Sequence, residues 1–292
     1  NQLAILANTF ADYVSQESGG AVKVTVYGGG TLGNDQESLD SVIAGTLDCA
    51  VNNTPIMSGY DAGLSVLDLP YLFENYDDIY TFLDSDVCQE MLDDFSSTGA
   101  KILNLQCVGF RNLESSKGFV EKPSDLKGLK VRVTGSDVYI NTWNTWGASA
   151  QTMPGNEVLT ALQQGTIDAQ ENPYEVIVSN KLYEQQDYVV ETNHLPHLIS
   201  LIVNDDFFKD LPENEQDIMT EAAQLATEYA REQSDARIAD KVAVIEDSGT
   251  QIIKLSDETR KEIREASQGV YDSIREKINP DIYNSYMEGI EQ

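Results

Sequence analysis

Two stretches, "AGTLDCAVNN" at residues 44–53 and "QQGTIDAQEN" at 163–172, carry one pattern twice. In each, a glycine (Gly45, Gly165) follows a helical stripe. Thr, an aliphatic residue and Asp come next, then a short strand with an asparagine near its end (Asn52, Asn172). The glycines suit the left-handed position that closes a helix, where a Cβ is costly. Before each helix stands a related strand, K-V-T-V at 23–26 and K-V-R-V at 130–133. A four-residue turn alone is common, but the shared order strand, helix, Gly turn, strand predicts two similar α/β units.

Outward from these stretches the pattern continues. Leu3, Leu6, Ala7, Phe10, Ala11 and Val14 make an apolar stripe that predicts a helix over 2–17, stopped at Gly19-Gly20. "AVKVTVY" (21–27) alternates as a strand, 76–97 reads as an acidic helical segment, and "AKILNLQCVGF" (100–110) reads as a strand. "HLISLIVND" (197–205) adds another strand. Pro212 opens a long helix with Ile218, Ala222, Leu225, Ala226 and Tyr229 on one stripe, expected to run to about 247 and cross both units. "TQIIKL" and an amphipathic helix from Ser256 close the chain. The alternation predicts mostly parallel sheets with helices on their faces. A helix opening the chain leads us to expect a segment upstream, with room for a removed export signal.

At 292 residues the chain exceeds what one core usually serves, which also predicts two lobes. A net charge of −30 argues against nucleic acid and against docking on an anionic membrane surface. No apolar run approaches the ~20 residues a membrane helix needs. Cys49, Cys88 and Cys107 cannot all pair with one another, none sits in a CxxC, and they read as structural thiols. His194 and His197, flanking Leu195-Pro196, lack a second cluster of metal-ligand spacing and read as surface or hinge packing, so no metal is expected. "YGGGTLG" (27–33) lacks a phosphate-loop pattern, and the chain has neither G-x-S-x-G nor H-E-x-x-H. No catalytic residue and no cofactor are expected.

Anion binding fits better. Only 19 basic residues stand against 49 acidic ones, and one of them, Arg132, sits near the carboxyl end of a strand. Ligands of open α/β sheets bind at that end, and a guanidinium offers parallel donors to one carboxylate. Asn172 closes another strand before Pro173, and Arg111 follows a buried strand in "GFRNLESSKGF". Arg132 could equally pair with an internal Asp or Glu.

The segments "GFRNLESSKGFVEKPSDLKGLKVRV" and "WGASAQTMPGNEVLTALQQGTIDAQENP" resemble the DctP-type solute-binding proteins of TRAP transporters. The family's G-x-R, D-L-K-G-L-K-x-R-V and E-V-x-x-A-L-Q-x-G-x-x-D-x-x-E-N-P occur in order. "GGGTLGNDQESL", "VLDLPYLF", "YEQQDYVVETNH" and "DLPENEQ" extend the likeness over nearly the whole chain. The resemblance implies an α/β, two-lobed fold of the type II periplasmic-binding-protein kind, with a central cleft and a long lobe-spanning helix. We place lobe I at 1–108 plus about 198–240 and lobe II at 109–197 plus about 241–292, with crossings near 108–110 and 196–198. It further implies an extracytoplasmic receptor, periplasmic or lipid-anchored, expected to be monomeric. Such a receptor closes on a small organic acid and delivers it to membrane permease subunits.

By the same resemblance Arg132 clamps the ligand carboxylate, Arg111 is a second donor and Asn172 a further contact. Asp35 and Asn53 match first-lobe contacts, and Asn52 and Tyr71 are added as polar partner and pocket wall. Gly155 stands where many relatives carry an aromatic residue and Thr134 where they carry proline. The expected ligand is a sugar acid such as a hexuronate. A C4-dicarboxylate and a sialic acid remain alternatives, as does a different class, a sensory or partner-binding domain. A sugar-acid enzyme is disfavoured for want of a base or nucleophile.

Overall fold

In the computed structural model, which describes residues 1–118, 120–235 and 237–290, the strands are β1 (Cys49–Asn53), β2 (Ala100–Ile102), β3 (Gln106–Phe110), β4 (Asn112–Ser115), β5 (Lys130–Val133), β6 (Ser149–Thr152), β7 (Ala169–Asn172), β8 (Tyr188–Glu191), β9 (Pro196–Asn204) and β10 (Gln251–Lys254). They form two sheets. In the first, β9 is central: β1 lies on one side and β2 and β3 share the other. The second runs β10-β8-β4-β7-β5-β6.

β9 is buried along its whole length, as its near-continuous apolar sequence requires. On one face Ile199, Leu201 and Val203 meet Leu6, Phe10 and Val14 of the first helix and Met219, Ala222, Ala223 and Ala226 of the long one. The other face gives Leu198 and Ile202 to the largest apolar cluster, which also takes Cys88 and Cys107. Burial pushes the Cys88 thiol up to about 12, so it stays protonated. The first helix, Gln2–Glu17, follows the stripe read from sequence and is capped by the Asn1 side chain, which accepts the Ala4 N–H.

Several expectations are corrected. The first sheet is antiparallel, because β1, β2 and β3 each pair with the reversed β9. The second is mixed: β5 runs parallel to β6 and β7, while β4 runs against β7 and β8. Residues 23–28 pair in no ladder, although they alternate like a strand, because strand form needs a neighbour as well as a pattern. The stretch 100–110 splits into β2 and β3, and 76–97 splits into Tyr76–Leu83, Asp86–Asp94 and a short 3₁₀ turn. The long helix ends at Asp235, and a second helix, Ile238–Asp247, follows Arg237 (φ −114°, ψ 0°). The former packs on the first helix and β3, the latter on Tyr174–Ser179 and β10. Three helices, Asp257–Ala266, Gln268–Arg275 and Pro280–Ile290, replace the single closing one.

The chain changes sheet at one residue, Arg111, between β3 and β4, and changes back over 192–195, between β8 and β9. These two crossings hold each other: the Arg111 N–H donates to the Leu195 carbonyl (2.9 Å) and the His194 N–H to the Arg111 carbonyl (3.3 Å).

Gly165 closes its helix at φ +66° with open space where a Cβ would stand. Gly165→Ala therefore pays only for the left-handed backbone, about 1 kcal/mol. We expect a lower urea midpoint with an unchanged slope; an unshifted midpoint would contradict this.

Candidate functional site

β5, β6 and β7 are mutually parallel neighbours, so their carboxyl ends lie together. They bring Arg132, the Met153 carbonyl and Asn172 to one edge of the second sheet. Asn53, the last residue of β1, pairs with Ile199 of β9, so the start of β9 extends past the carboxyl end of β1. Arg111, at the end of β3, occupies the same crossing.

Arg132 is 5% exposed. Its Nε and Nη2 both donate to the Met153 carbonyl, at 3.0 and 2.6 Å. Among the described residues it enters no ion pair. Of the five N–H groups of a guanidinium, three remain: both on Nη1 and one on Nη2. Burial, then the neighbouring Arg111 charge, lowers its pKa to about 10, with Glu171 and Asp35 acting the other way. It stays charged at neutral pH. The Gly155 backbone lies against it, where an added Cβ would stand 3.9 Å from Nη2.

Arg111 is 2% exposed and internally neutralised. Its Nε donates to Glu171 Oε2 (2.5 Å), and its Nη2 to Glu171 Oε1 (2.9 Å) and to the Glu171 carbonyl (2.5 Å). One Nη1 hydrogen goes to His197 Nδ1 at 2.8 Å. A single Nη1 hydrogen is left, so Arg111 cannot offer a ligand the free fork that Arg132 can. Burial opposes the charge on Arg111, and the Glu171 carboxylate more than restores it, raising its pKa. Burial likewise opposes the charge on Glu171, but Arg111 and His194 hold its carboxyl at about 2. His194 Nε2 lies 3.2 Å from Glu171 Oε2 and its Nδ1 lies 2.9 Å from the Thr192 hydroxyl. The two histidines are thus buried parts of the crossing, which excludes the surface half of their reading.

Across from Arg132, Asp35 begins the helix Asp35–Ile43 in an exposed position. Desolvation raises its pKa, while the Asn53 amide, donating to Oδ2 at 3.0 Å, and the Arg132 charge pull it down. Asn53 also caps the helix Thr54–Met57 through Oδ1. Asn52 is fully engaged: Nδ2 donates to the Asp35 carbonyl (2.7 Å) and Ser38 Oγ (3.3 Å), and Oδ1 accepts the Asn53 N–H (2.9 Å). It fixes that helix to β1 instead of facing an open space. Asn172 gives one Nδ2 hydrogen to Gln170 Oε1 (2.5 Å), and Gln170 in turn bonds Glu114, whose pKa burial raises well above the carboxylate range. Asn172 therefore keeps Oδ1, an acceptor, and its second Nδ2 hydrogen, a donor.

Tyr71 falls elsewhere. It packs on Trp146 with centroids 6.1 Å apart. It also lines a surface hollow of about 600 Å³ with Glu74, Arg264, Tyr271 and Met287, which includes no other candidate residue. The sequence reading passed over Glu171, the Met153 carbonyl and Asp68. Asp68, fully buried, accepts from Thr54 Oγ1 (2.8 Å), and its Oδ2 has no partner among the described residues. Burial raises its pKa to about 7. Glu171 lies within the quoted E-N-P, which was the available signal.

Three comparisons bear on this geometry. Residues 2–278 match the model described as DctP, bacterial extracellular solute-binding protein, family 7. The chain is 32% identical over 227 residues to the 2,3-diketo-L-gulonate-binding periplasmic protein YiaO of Escherichia coli K12, covering 78% of this chain and 69% of that one. Among solved structures it resembles the sugar acid binding protein DctPAm of Advenella mimigardefordensis in complex with galactonate, with TM-score 0.94 and 30% identity, covering 98% of this chain and 92% of that one. A TRAP periplasmic solute-binding protein of Chromohalobacter salexigens with bound D-glucuronate is similar at TM-score 0.94 and 27% identity, covering 99% and 95%.

The charge balance gives two predictions. Glu171→Gln leaves Arg111 buried without a counter-charge and should cost roughly 3–5 kcal/mol. Arg132→Gln removes a desolvated, unpaired cation and should leave the ligand-free protein as stable as wild type or more so. Urea titration of both decides; equal losses would refute the asymmetry. Second, burial raises the Asp68 pKa from the ordinary 3.8 to about 7 in the folded state. Between these values the native state holds a proton that the unfolded state has lost, so stability falls as pH rises through the window. Asp68→Asn should therefore gain in Tm relative to wild type from pH 5 to pH 8.5; a constant difference would refute the shift.

Proposed function

We propose, for a chain that belongs to the DctP family of bacterial extracellular solute-binding proteins, the role of a TRAP-transporter receptor that captures a sugar acid by its carboxylate. The observation that carries this reading is Arg132. Burying a cation without a counter-anion is unfavourable, and a chain with 49 acidic residues provides none here among the described residues. A visiting carboxylate completes the site: it takes the free Nη1 and Nη2 hydrogens end-on, and the bidentate, charge-assisted geometry is both strong and little screened once dry.

The remaining groups suit a polyhydroxylated body. Asp35 accepts from ligand hydroxyls on one side and Asn172 Oδ1 on the other, while the last Nη1 hydrogen of Arg111 donates. Galactonate and D-glucuronate in the similar structures have this chemistry, one carboxylate and a run of hydroxyls. They favour a sugar acid over a C4-dicarboxylate, whose second carboxylate would face Asp35.

The two sheets then act as lobes, with the crossings at Arg111 and 192–195 as hinge. A ligand that touches Asp35 and Arg132 together has differential affinity for the closed arrangement and shifts the equilibrium toward it. The membrane permease reads the closed form, outside the cytoplasmic membrane, and receives the ligand from it. Lobe I comprises about 1–108 and 198–240 and lobe II the rest.

Isothermal titration with D-galactonate, D-glucuronate, succinate and N-acetylneuraminate tests this. We expect a sugar acid to bind and Arg132→Gln to weaken it about 100-fold, the worth of a charge-assisted pair of roughly 3 kcal/mol. Binding that survives Arg132→Gln, or succinate as the best ligand, would overturn it.

A further inference from the structure

His197 is the second residue of β9 and pairs with Gly109 of β3. It lies two residues before Ile199, the partner of Asn53, and so projects past the carboxyl end of β1 into the crossing that holds Arg111. A guanidinium has no acceptor, so the 2.8 Å contact with Arg111 Nη1 fixes the roles: Nδ1 accepts and Nε2 carries the hydrogen. Burial, Arg111 and Arg132 all act against its protonation and bring its pKa to about 3, with only Glu171 opposing. The imidazole is neutral across the physiological range, and its tautomer is set by its neighbour. Its two faces differ. Nδ1 is spent, while Nε2 has no partner among the described residues and is absent from the buried polar atoms that lack one. The residue as a whole keeps 9% exposure, where His194 has none.

We propose that His197 is a ligand-contacting, specificity-determining residue: its Nε2–H donates to the hydroxyl oxygen adjacent to the carboxylate held by Arg132, so the site selects 2-hydroxy acids. This deepens the receptor reading and rests on it. The chemistry favours a hydroxyl as the partner. The Arg132 guanidinium, left without a counter-charge, already supplies the positive charge a carboxylate needs, and a neutral donor beside it complements a neutral oxygen. The donor is preorganised, because Arg111, itself immobilised on Glu171, holds the ring through the other nitrogen. No rotamer or proton must be rearranged when the ligand arrives.

The test compares D-gluconate with 2-deoxy-D-gluconate by titration calorimetry on wild type and two variants. His197→Asn keeps an acceptor for Arg111 and lacks a donor at the Nε2 position. His197→Gln reaches that position with an amide N–H. Wild type should prefer D-gluconate about tenfold, the upper end of what one neutral hydrogen bond contributes. The Asn variant should lose the preference while binding the 2-deoxy acid as wild type does, and the Gln variant should recover part of it. If the ratio persists in His197→Asn, or both ligands weaken equally, His197 is structural and the assignment fails while the receptor reading stands. If wild type binds no sugar acid at all, both fall. Nitrogen-15 spectra should show a single Nε2–H tautomer from pH 8 to 5 that responds to D-gluconate; a protonated ring at pH 6 would overturn the argument.

Discussion

Two guanidinium groups are buried at one crossing between two sheets, and one buried carboxylate, Glu171, pairs with only one of them. That imbalance organises the site. The Glu171 carboxylate accepts from Nε and Nη2 of Arg111 and contacts the His194 ring, which ties the end of β3 to β7 and to the returning segment before β9. With Arg111 satisfied, Arg132 keeps its charge with only a backbone carbonyl for company. A net-negative protein thereby holds one recessed positive site. Long-range attraction for anions is weak, and at ordinary ionic strength it is screened beyond roughly 8–10 Å. In the proposed receptor, capture rests on the short-range geometry of the fork.

In the proposed receptor the same arrangement links binding to the hinge. Arg111 is the residue at which the chain changes sheet, and its backbone bonds the other crossing. The ion pair that neutralises it also fixes where the chain passes between the sheets, so the proposed pivot and the proposed anion site share side chains. Asp68, a buried acid raised to about 7, adds a cost to this region whenever it is ionised. Its unpaired oxygen is among the few unsatisfied carboxylate atoms of the described core.

Much of the fold was legible. Gly45 and Gly165 do adopt left-handed backbone, at φ 69° and 66°, and the strands they precede carry the asparagines named from the sequence. Helix stripes and strand alternation are local, with periods set by backbone geometry, so they survive without tertiary context. The failures were of partnership. Residues 23–28 have a strand's pattern without a ladder, and the parallel expectation failed because β9 returns reversed through the middle of the first sheet. Asn52 and Tyr71 were named by type and position, and the first proved to be a clamp on backbone while the second lines another hollow.

The sequence by itself determined the helix, Gly turn and strand step that occurs twice, the family motifs and the placement of Arg132 near a strand's carboxyl end. Tertiary structure alone decided which arginine is neutralised. Arg111 and Glu171 stand 60 residues apart, and no pattern in a chain so rich in acids says which carboxylate reaches which cation. It also decided the tautomer of His197, because a histidine's tautomer and charge follow from the neighbours that face its two nitrogens, and those neighbours come together only when both sheets are folded.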